Sequence, residues 1–220
     1  FLWVNHELSY DNFHPNVENI YRIESLMDFE TPTLWTSSPE PLAEALKIDF
    51  PEILESTKLH KSWRNLSVSY EEKAFEEFSF YFVSPSYFDI FYFPKTQYDP
   101  KEILKDPFTL LISESISKKY FGDEDPMGKS VRFEKFLDLK VTGVIKDVPH
   151  NSHFIFDFMA SFSTVKQLYG GSLPKSWVWN PCWTYLELEK GAAPILEKEF
   201  DEFVQKYFYD AEKEYISMYL

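Results

Sequence analysis

The sequence predicts an α+β fold in two lobes. Strand-like and helix-like segments alternate irregularly along the 220 residues, with no run of parallel βαβ units. The middle, residues 76–151, is strand-rich enough to close on itself, so the flanking strand–helix units of 1–75 and 152–220 pair across it as a discontinuous lobe. The core is built largely from rings: aromatic residues make up 19% of the chain, as 22 Phe, 14 Tyr and 6 Trp.

Taken in order, Ile20 to Ile23 reads as a strand. Ser37 or Ser38 is the expected N-cap of a helix with Pro39 in its first turn, apolar Leu42, Ala45, Leu46 and Phe50 at helical spacing, and Pro51 as its stop. Ser67 to Tyr70 and Phe78 to Val83 read as strands, the second with Phe78, Phe80 and Phe82 on one face and Ser79 and Tyr81 on the other. Ser86 to Phe91 and Pro100 to Lys105 form short helices or turns. Phe108 to Ile112 is a buried strand, after which Ser113 caps a helix carrying Ile116, Tyr120 and Phe121 and ending at Gly122, a residue free to take positive φ. Leu139 to Ile145, Phe154 to Met159 and Thr184 to Leu188 read as strands. A long helix starts at Pro194 and aligns Leu196, Phe200, Phe203, Val204, Tyr207 and Phe208 on one stripe, with an acidic, solvated opposite face.

Composition removes several classes of function. The formal charge of −14 argues against nucleic acid as a partner, because phosphate binding needs a basic face. One cysteine, Cys182, excludes an internal disulfide framework and a thiolate metal cluster, and reads as a buried structural thiol rather than a nucleophile. No apolar run reaches the ~20 residues of a membrane-spanning helix. The chain opens Phe1-Leu2-Trp3-Val4 without Met, as would a piece of a longer protein or a chain whose leader or tag has been removed.

Chemistry-bearing patterns are sparse. Gly122 to Ser130 resembles a phosphate-binding loop, but five residues separate its glycines instead of four, Asp123, Glu124 and Asp125 would repel phosphate, and the stretch follows a helix rather than a strand. His150, His153 and Asp157 invite a metal reading. On a strand, however, His153 and Asp157 stand about 13 Å apart, too far for one ion, and a turn is expected instead. His6, His14 and His60 are isolated. Asn65-Leu66-Ser67 matches a glycosylation sequon, and Asp123/Asp125 and Glu71/Glu72 lie in expected turns with no apolar pocket to shift a pKa. No catalytic, cofactor-binding or metal-binding residue is assigned, and no enzyme is expected.

Five motifs carry a resemblance when read in order. They are Tyr10-Asp11-Asn12-Phe13-His14 with Ile20-Tyr21-Arg22-Ile23; Val83 to Phe91 (VSPSYFDIF); Lys118 to Lys129 (KKYFGDEDPMGK); Val141 to Pro149 (VTGVIKDVP); and Asn151-Ser152-His153 with Phe156-Asp157. Together they resemble the MacB-like periplasmic core domain of FtsX-like ABC-transporter permeases. One departure is Tyr98-Asp99-Pro100, where relatives carry Gly-Asp-Pro, so a positive-φ turn there is in question.

The resemblance implies a discontinuous porter-like (ferredoxin-like βαβ) lobe and a smaller inserted α/β lobe. It implies a periplasmic domain between the first two membrane helices of an inner-membrane permease, with both chain ends on one face; Trp3 and Tyr219 suit such an interface. Its implied partners are a cytoplasmic ATP-binding subunit, a second copy of the permease or a relative, and a periplasmic adaptor or lipoprotein cargo. The expected function is transmission of ATP-driven motion for export or release of cargo. The alternatives are an extracytoplasmic sensor or ligand-binding domain and, more remotely, a secreted hydrolase.

Overall fold

The computed structural model describes residues 11, 13–28, 31–62, 64–91, 99–149, 151–211 and 213–220. They fall into two compact units: Glu18–Leu59 with Leu173–Leu220, here the frame, and His60–Ser172 with the N-terminal segment through Val17, here the inserted unit.

The frame begins with β1 (Ile20–Arg22) and β2 (Glu24–Met27), separated only by Ile23, followed by β3 (Thr33–Trp35), helix α1 (Leu42–Asp49) and β4 (Ile53–Lys61). The inserted unit holds β5 (Leu66–Tyr70), β6 (Lys73–Glu77), β7 (Phe80–Val83), α2 (Tyr87–Ile90), α3 (Pro100–Ile103), β8 (Thr109–Ser113), α4 (Glu114–Phe121), β9 (Ser130–Phe133), β10 (Leu137–Ile145), β11 (Phe158–Ser161) and α5 (Ser163–Leu168). The chain then returns to the frame with β12 (Trp183–Leu188), α6 (Ala193–Tyr207) and β13 (Ile216–Tyr219).

In the frame, β12 pairs antiparallel with both β1 and β4, and β2 pairs antiparallel with β13 and β3. β1 thus lies beside β12 and β4 in one sheet, and β2, one residue further along the chain, lies between β13 and β3 in a second, with α1 leading into β4 and α6 joining β12 to β13. This is a ferredoxin-like double βαβ arrangement split by an insertion between β4 and β12. Its core packs Leu42 and Leu46 of α1 and Leu196, Phe200, Phe203 and Val204 of α6 on Ile23, Ile53, Leu186, Leu188, Ile216 and Met218. Lys206 of α6 holds Asp49, the last residue of α1, at 2.7 Å, and Tyr207 donates to the same carboxylate at 3.1 Å.

In the inserted unit, seven strands run in the order β7-β11-β8-β10-β9-β5-β6, with β7–β11 and β8–β10 parallel and the other pairs antiparallel. α4 lays Ile116, Tyr120 and Phe121 against Phe80, Phe133, Phe158 and the inward residues of β10. Helix α4 starts where the sequence places it: the Ser113 hydroxyl accepts the Ile116 N–H at 3.2 Å, and Gly122 closes the helix at φ +64°.

Several expectations shift. Neither Ser37 nor Ser38 caps α1, whose N-cap is Pro41; the Ser38 hydroxyl bonds to Thr184 instead, so a cross-strand partner took the side chain. The strand expected from Phe78 starts at Phe80, and Phe78 is exposed; β7 is covered on both faces, so Tyr81 is as buried as Phe80 and the simple alternation fails. The strand expected from Phe154 starts at Phe158, so the His153–Asp157 spacing is not that of a strand. The inserted unit is longer than residues 76–151, because the β5–β6 hairpin joins β9 on one side and β11 joins β7 and β8 on the other. Replacing Ser113 by Ala should cost about 1 kcal/mol of stability through loss of the helix cap, measured as a shift of the urea unfolding midpoint with unchanged slope.

Candidate functional site

The densest polar cluster of the frame centres on Lys58 of β4. Its ammonium lies 2.7 Å from the Glu44 carboxylate, bonds the Glu40 carboxylate, and donates to the Glu40 carbonyl at 3.3 Å. Glu40 precedes α1 and Glu44 sits in its first turn, so Lys58 ties the start of α1 to β4. Burial alone would lower the Lys58 pKa, but the two carboxylates outweigh it and the pKa is raised. Beside this cluster Ser38 and Cys182 form a two-way backbone bridge, and Ser38 Oγ lies 2.7 Å from Thr184 Oγ1. Burial pushes the Cys182 thiol up to about 12. It stays protonated at neutral pH and is a poor nucleophile.

A second cluster fixes α4 to the sheet of the inserted unit. The buried Glu77 carboxylate, at the end of β6, accepts from Lys119 Nζ at 2.6 Å and from the Tyr120 hydroxyl at 2.7 Å. Burial raises the Asp157 carboxyl and the nearby Glu77 charge raises it further, against the pull of Lys119. Asp147 accepts from the N–H and hydroxyl of Ser115, bonds that lower its pKa and anchor the first turn of α4.

The motifs singled out in the sequence have structural uses. In Gly122–Ser130, Lys129 pairs with Glu124 and lies 5.5 Å from the centres of both the Tyr70 and Phe121 rings, while Gly128 donates to the Val141 carbonyl at 2.8 Å. The loop is thus a brace beside β10, with its one cation already engaged. His14 is buried, 4.3 Å from the Phe13 ring and 5.2 Å from Phe91, and burial lowers its pKa against the pull of Asp11. The His153 N–H donates to Asp11 Oδ1 at 2.8 Å. Glu71 and Glu72 are exposed in the β5–β6 turn, and the Asn65 side chain donates to Glu76 at 3.3 Å. Asp99 caps α3 by accepting the Lys101 N–H, so the Asp-Pro part of the departing motif starts a helix. Trp3, His6, Tyr98 and His150 lie outside the described residues. Among the described residues, no group of three His, Cys, Asp or Glu side chains could hold a metal ion. No helix among them is long and apolar enough to cross a membrane.

A cavity of about 340 Å³ opens in the inserted unit. Phe80, Phe82, Phe133, Phe136 and Leu168 form its apolar wall; His60 and the Arg64–Glu134 pair supply polar edges. Burial lowers the His60 pKa, so the ring is neutral at pH 7. Glu134 and Lys135, at the β9–β10 turn, both have positive φ, and Glu134 is tied to β5 through bonds to the N–H and carbonyl of Ser67 at 2.9 and 2.8 Å. Neither this cavity nor the Lys58 and Glu77 clusters was visible from sequence. Glu40 and Glu44 show the four-residue spacing of a helix face, but nothing local points from them to Lys58.

Residues 1–199 match the model of the MacB-like periplasmic core domain. The chain belongs to this family. It is the periplasmic core domain of a MacB-like ABC-transporter permease, a membrane protein. Three solved structures share the fold of this MacB-like domain. A domain assigned to a permease of Porphyromonas gingivalis aligns with TM-score 0.76 and 18% identity over 94% of this chain and 89% of that one. The extracellular domain of the noncanonic ABC-type transporter YknZ from Gram-positive bacteria aligns with TM-score 0.63 and 17% identity, covering 91% and 100%. The periplasmic region of MacB from Actinobacillus actinomycetemcomitans aligns with TM-score 0.61 and 18% identity, covering 93% and 91%. No curated protein sequence matches the chain significantly.

Two outcomes follow from the buried groups. Lys58→Met strands the buried Glu40 carboxylate and should cost about 3 kcal/mol, while Lys58→Met with Glu40→Leu should regain most of it, both read by denaturant unfolding. His14 and His60 have folded pKa values below their ordinary 6.5, so the stability they contribute is fully present above pH 6.5 and is lost as the pH falls from there through the lower folded values. Unfolding free energy should therefore drop between pH 7 and pH 5, with a shallower slope in the His14→Gln/His60→Gln variant.

Proposed function

We propose that this domain transmits motion. ATP binding by a separate cytoplasmic subunit moves the membrane helices of the permease, and the domain carries that movement to the far side of the inner membrane. Two copies of the permease, or a copy and a relative, bring their domains together and apart. The stroke exports or releases a cargo such as a lipoprotein or small toxic molecule, alone or through a periplasmic adaptor. In this reading the frame is the porter-like lobe, and the fragment performs no bond-making of its own.

The observation that carries the proposal is the construction of the chain as two units, each with its own hydrophobic core. A lever needs stiff bodies, and interlocked rings such as Phe80–Phe133 and Phe133–Phe158, with centres 4.8 and 5.3 Å apart, resist deformation. The polar clusters serve the same end, because Lys58 and Glu77 are spent in joining helices to strands. The second reading, a ligand-binding domain, draws on the 340 Å³ cavity, whose size and apolar lining suit a small molecule.

A spin label on the exposed surface of α4, introduced as Lys118→Cys in the complete transporter, separates the two. Trapping the ATP-bound state should change the label-to-label distance between the two permease copies by several ångströms. An unchanged distance distribution overturns motion transmission and leaves the ligand-binding reading.

A further inference from the structure

The N-terminal segment belongs to the inserted unit, although the chain forms β1 of the frame immediately after it. The contacts that hold it there are specific. Asp11 donates its N–H to the Asn151 carbonyl at 3.0 Å and accepts the His153 N–H on its carboxylate at 2.8 Å. One residue thus bonds the 151–153 turn twice, once through its backbone N–H and once through its carboxylate. Asp11 does so at φ +56°, a left-handed conformation that L-residues adopt at a cost and that Asp tolerates better than most. Its carbonyl accepts the His14 N–H at 3.0 Å, closing a turn that directs His14 inward. The His14 ring then packs against Phe91, which in turn contacts Tyr87 and Phe154 at 4.8 and 5.2 Å. Phe154 directly follows the bonded His153, and the Ser152 hydroxyl accepts its N–H at 3.2 Å. The turn and the aromatic cluster therefore form one clamp on segment 11–17.

We infer that this clamp is a mechanical anchor. It fastens the N-terminal side of the chain to the inserted unit, whereas the C-terminal strand β13 is part of the frame. Resting on the motion-transmission reading, the first membrane helix of the permease drives the inserted unit and the second drives the frame. A relative displacement of the two helices is then delivered as a load on two separately cored bodies. Asp11 is a positioning residue in this device: it holds the clamp shut and touches no cargo.

The test has two stages. In the 220-residue chain, Asp11→Ala should speed hydrogen exchange of the His153 amide by about tenfold or more. Ser217 in β13, whose amide faces Leu26 across the ladder with β2, should exchange at its original rate, and Asp11→Asn, which keeps an acceptor oxygen and tolerates positive φ, should restore most of the protection. Unchanged protection of His153 in Asp11→Ala, or a faster Ser217 in a globally loosened chain, overturns the clamp. In the complete transporter, Asp11→Ala should abolish or halve the ATP-induced change at the Lys118→Cys label while ATP still binds, and Asp11→Asn should retain it. A full-sized change in Asp11→Ala overturns the anchor as the path of the load. No change in the transporter with native Asp11 overturns motion transmission itself, and is told apart because the exchange result stands independently of it.

Discussion

The antiparallel pairing of β4 with β12 is the constraint on which the molecule depends. It closes the frame across the entire inserted unit, joining strands that lie more than a hundred positions apart: the Ser38–Thr184 contact beside it spans 146 positions. Loop-closure entropy grows only logarithmically with length, so a long insertion is tolerated once the seam is strong. The seam is strengthened at one place. Lys58 on β4 bonds Glu40 and Glu44 at the start of α1, and Ser38 reaches across to Cys182 and Thr184 beside it. A buried ion pair adds little net stability over a well-packed apolar pair, but it penalises every arrangement that separates its partners. Here it holds the start of α1 on β4, while the Ser38 bonds to Cys182 and Thr184 tie that segment to the returning chain.

The inserted unit follows a related logic with different parts. Its core sets Phe80, Tyr120, Phe121, Phe133 and Phe158 among a larger number of aliphatic side chains, so rings are not the bulk that composition suggests, and α4 is held at both ends of its contact: Ser115 to Asp147 at its start, Lys119 and Tyr120 to Glu77 at its end. A cavity is lined by residues of β5, β7, β9 and β10, and the strained Glu134–Lys135 turn beside it is kept in place by the bonds of Glu134 to Ser67. The acidic surface left outside these clusters accounts for the net charge of −14 without implying a charged substrate.

The described residues of the family motifs act at junctions between segments. Asp11 and His14 meet the Asn151–Phe154 turn, Ser86 begins a short helix whose Tyr87 and Ile90 are buried, and Gly122–Lys129 braces β10 through a cation between two rings.

Segments whose partners lie close in sequence were readable from sequence alone. Ser113 and Gly122 bracket α4 because cap and stop act within one helical turn, the apolar stripe of α6 is set by its own 3.6-residue period, and Leu139 to Ile145 reads as a strand, to which the structure adds Leu137 and Asp138 at the start of β10. Strands with little apolar signal of their own were not readable. β3 and β6 lie at sheet edges and are almost wholly exposed, and β4 and β9 carry polar residues whose neighbours are remote. The charge clusters belong to the same class, since nothing within ten residues of Lys58 or Glu77 foretells its partner. Local propensity and periodicity determined the helices and the family motifs, because the free energy that favours them is decided within a few residues. The unit boundaries, the Lys58 lock and the Asp11 clamp were decided only when the folded chain brought distant groups within hydrogen-bond reach.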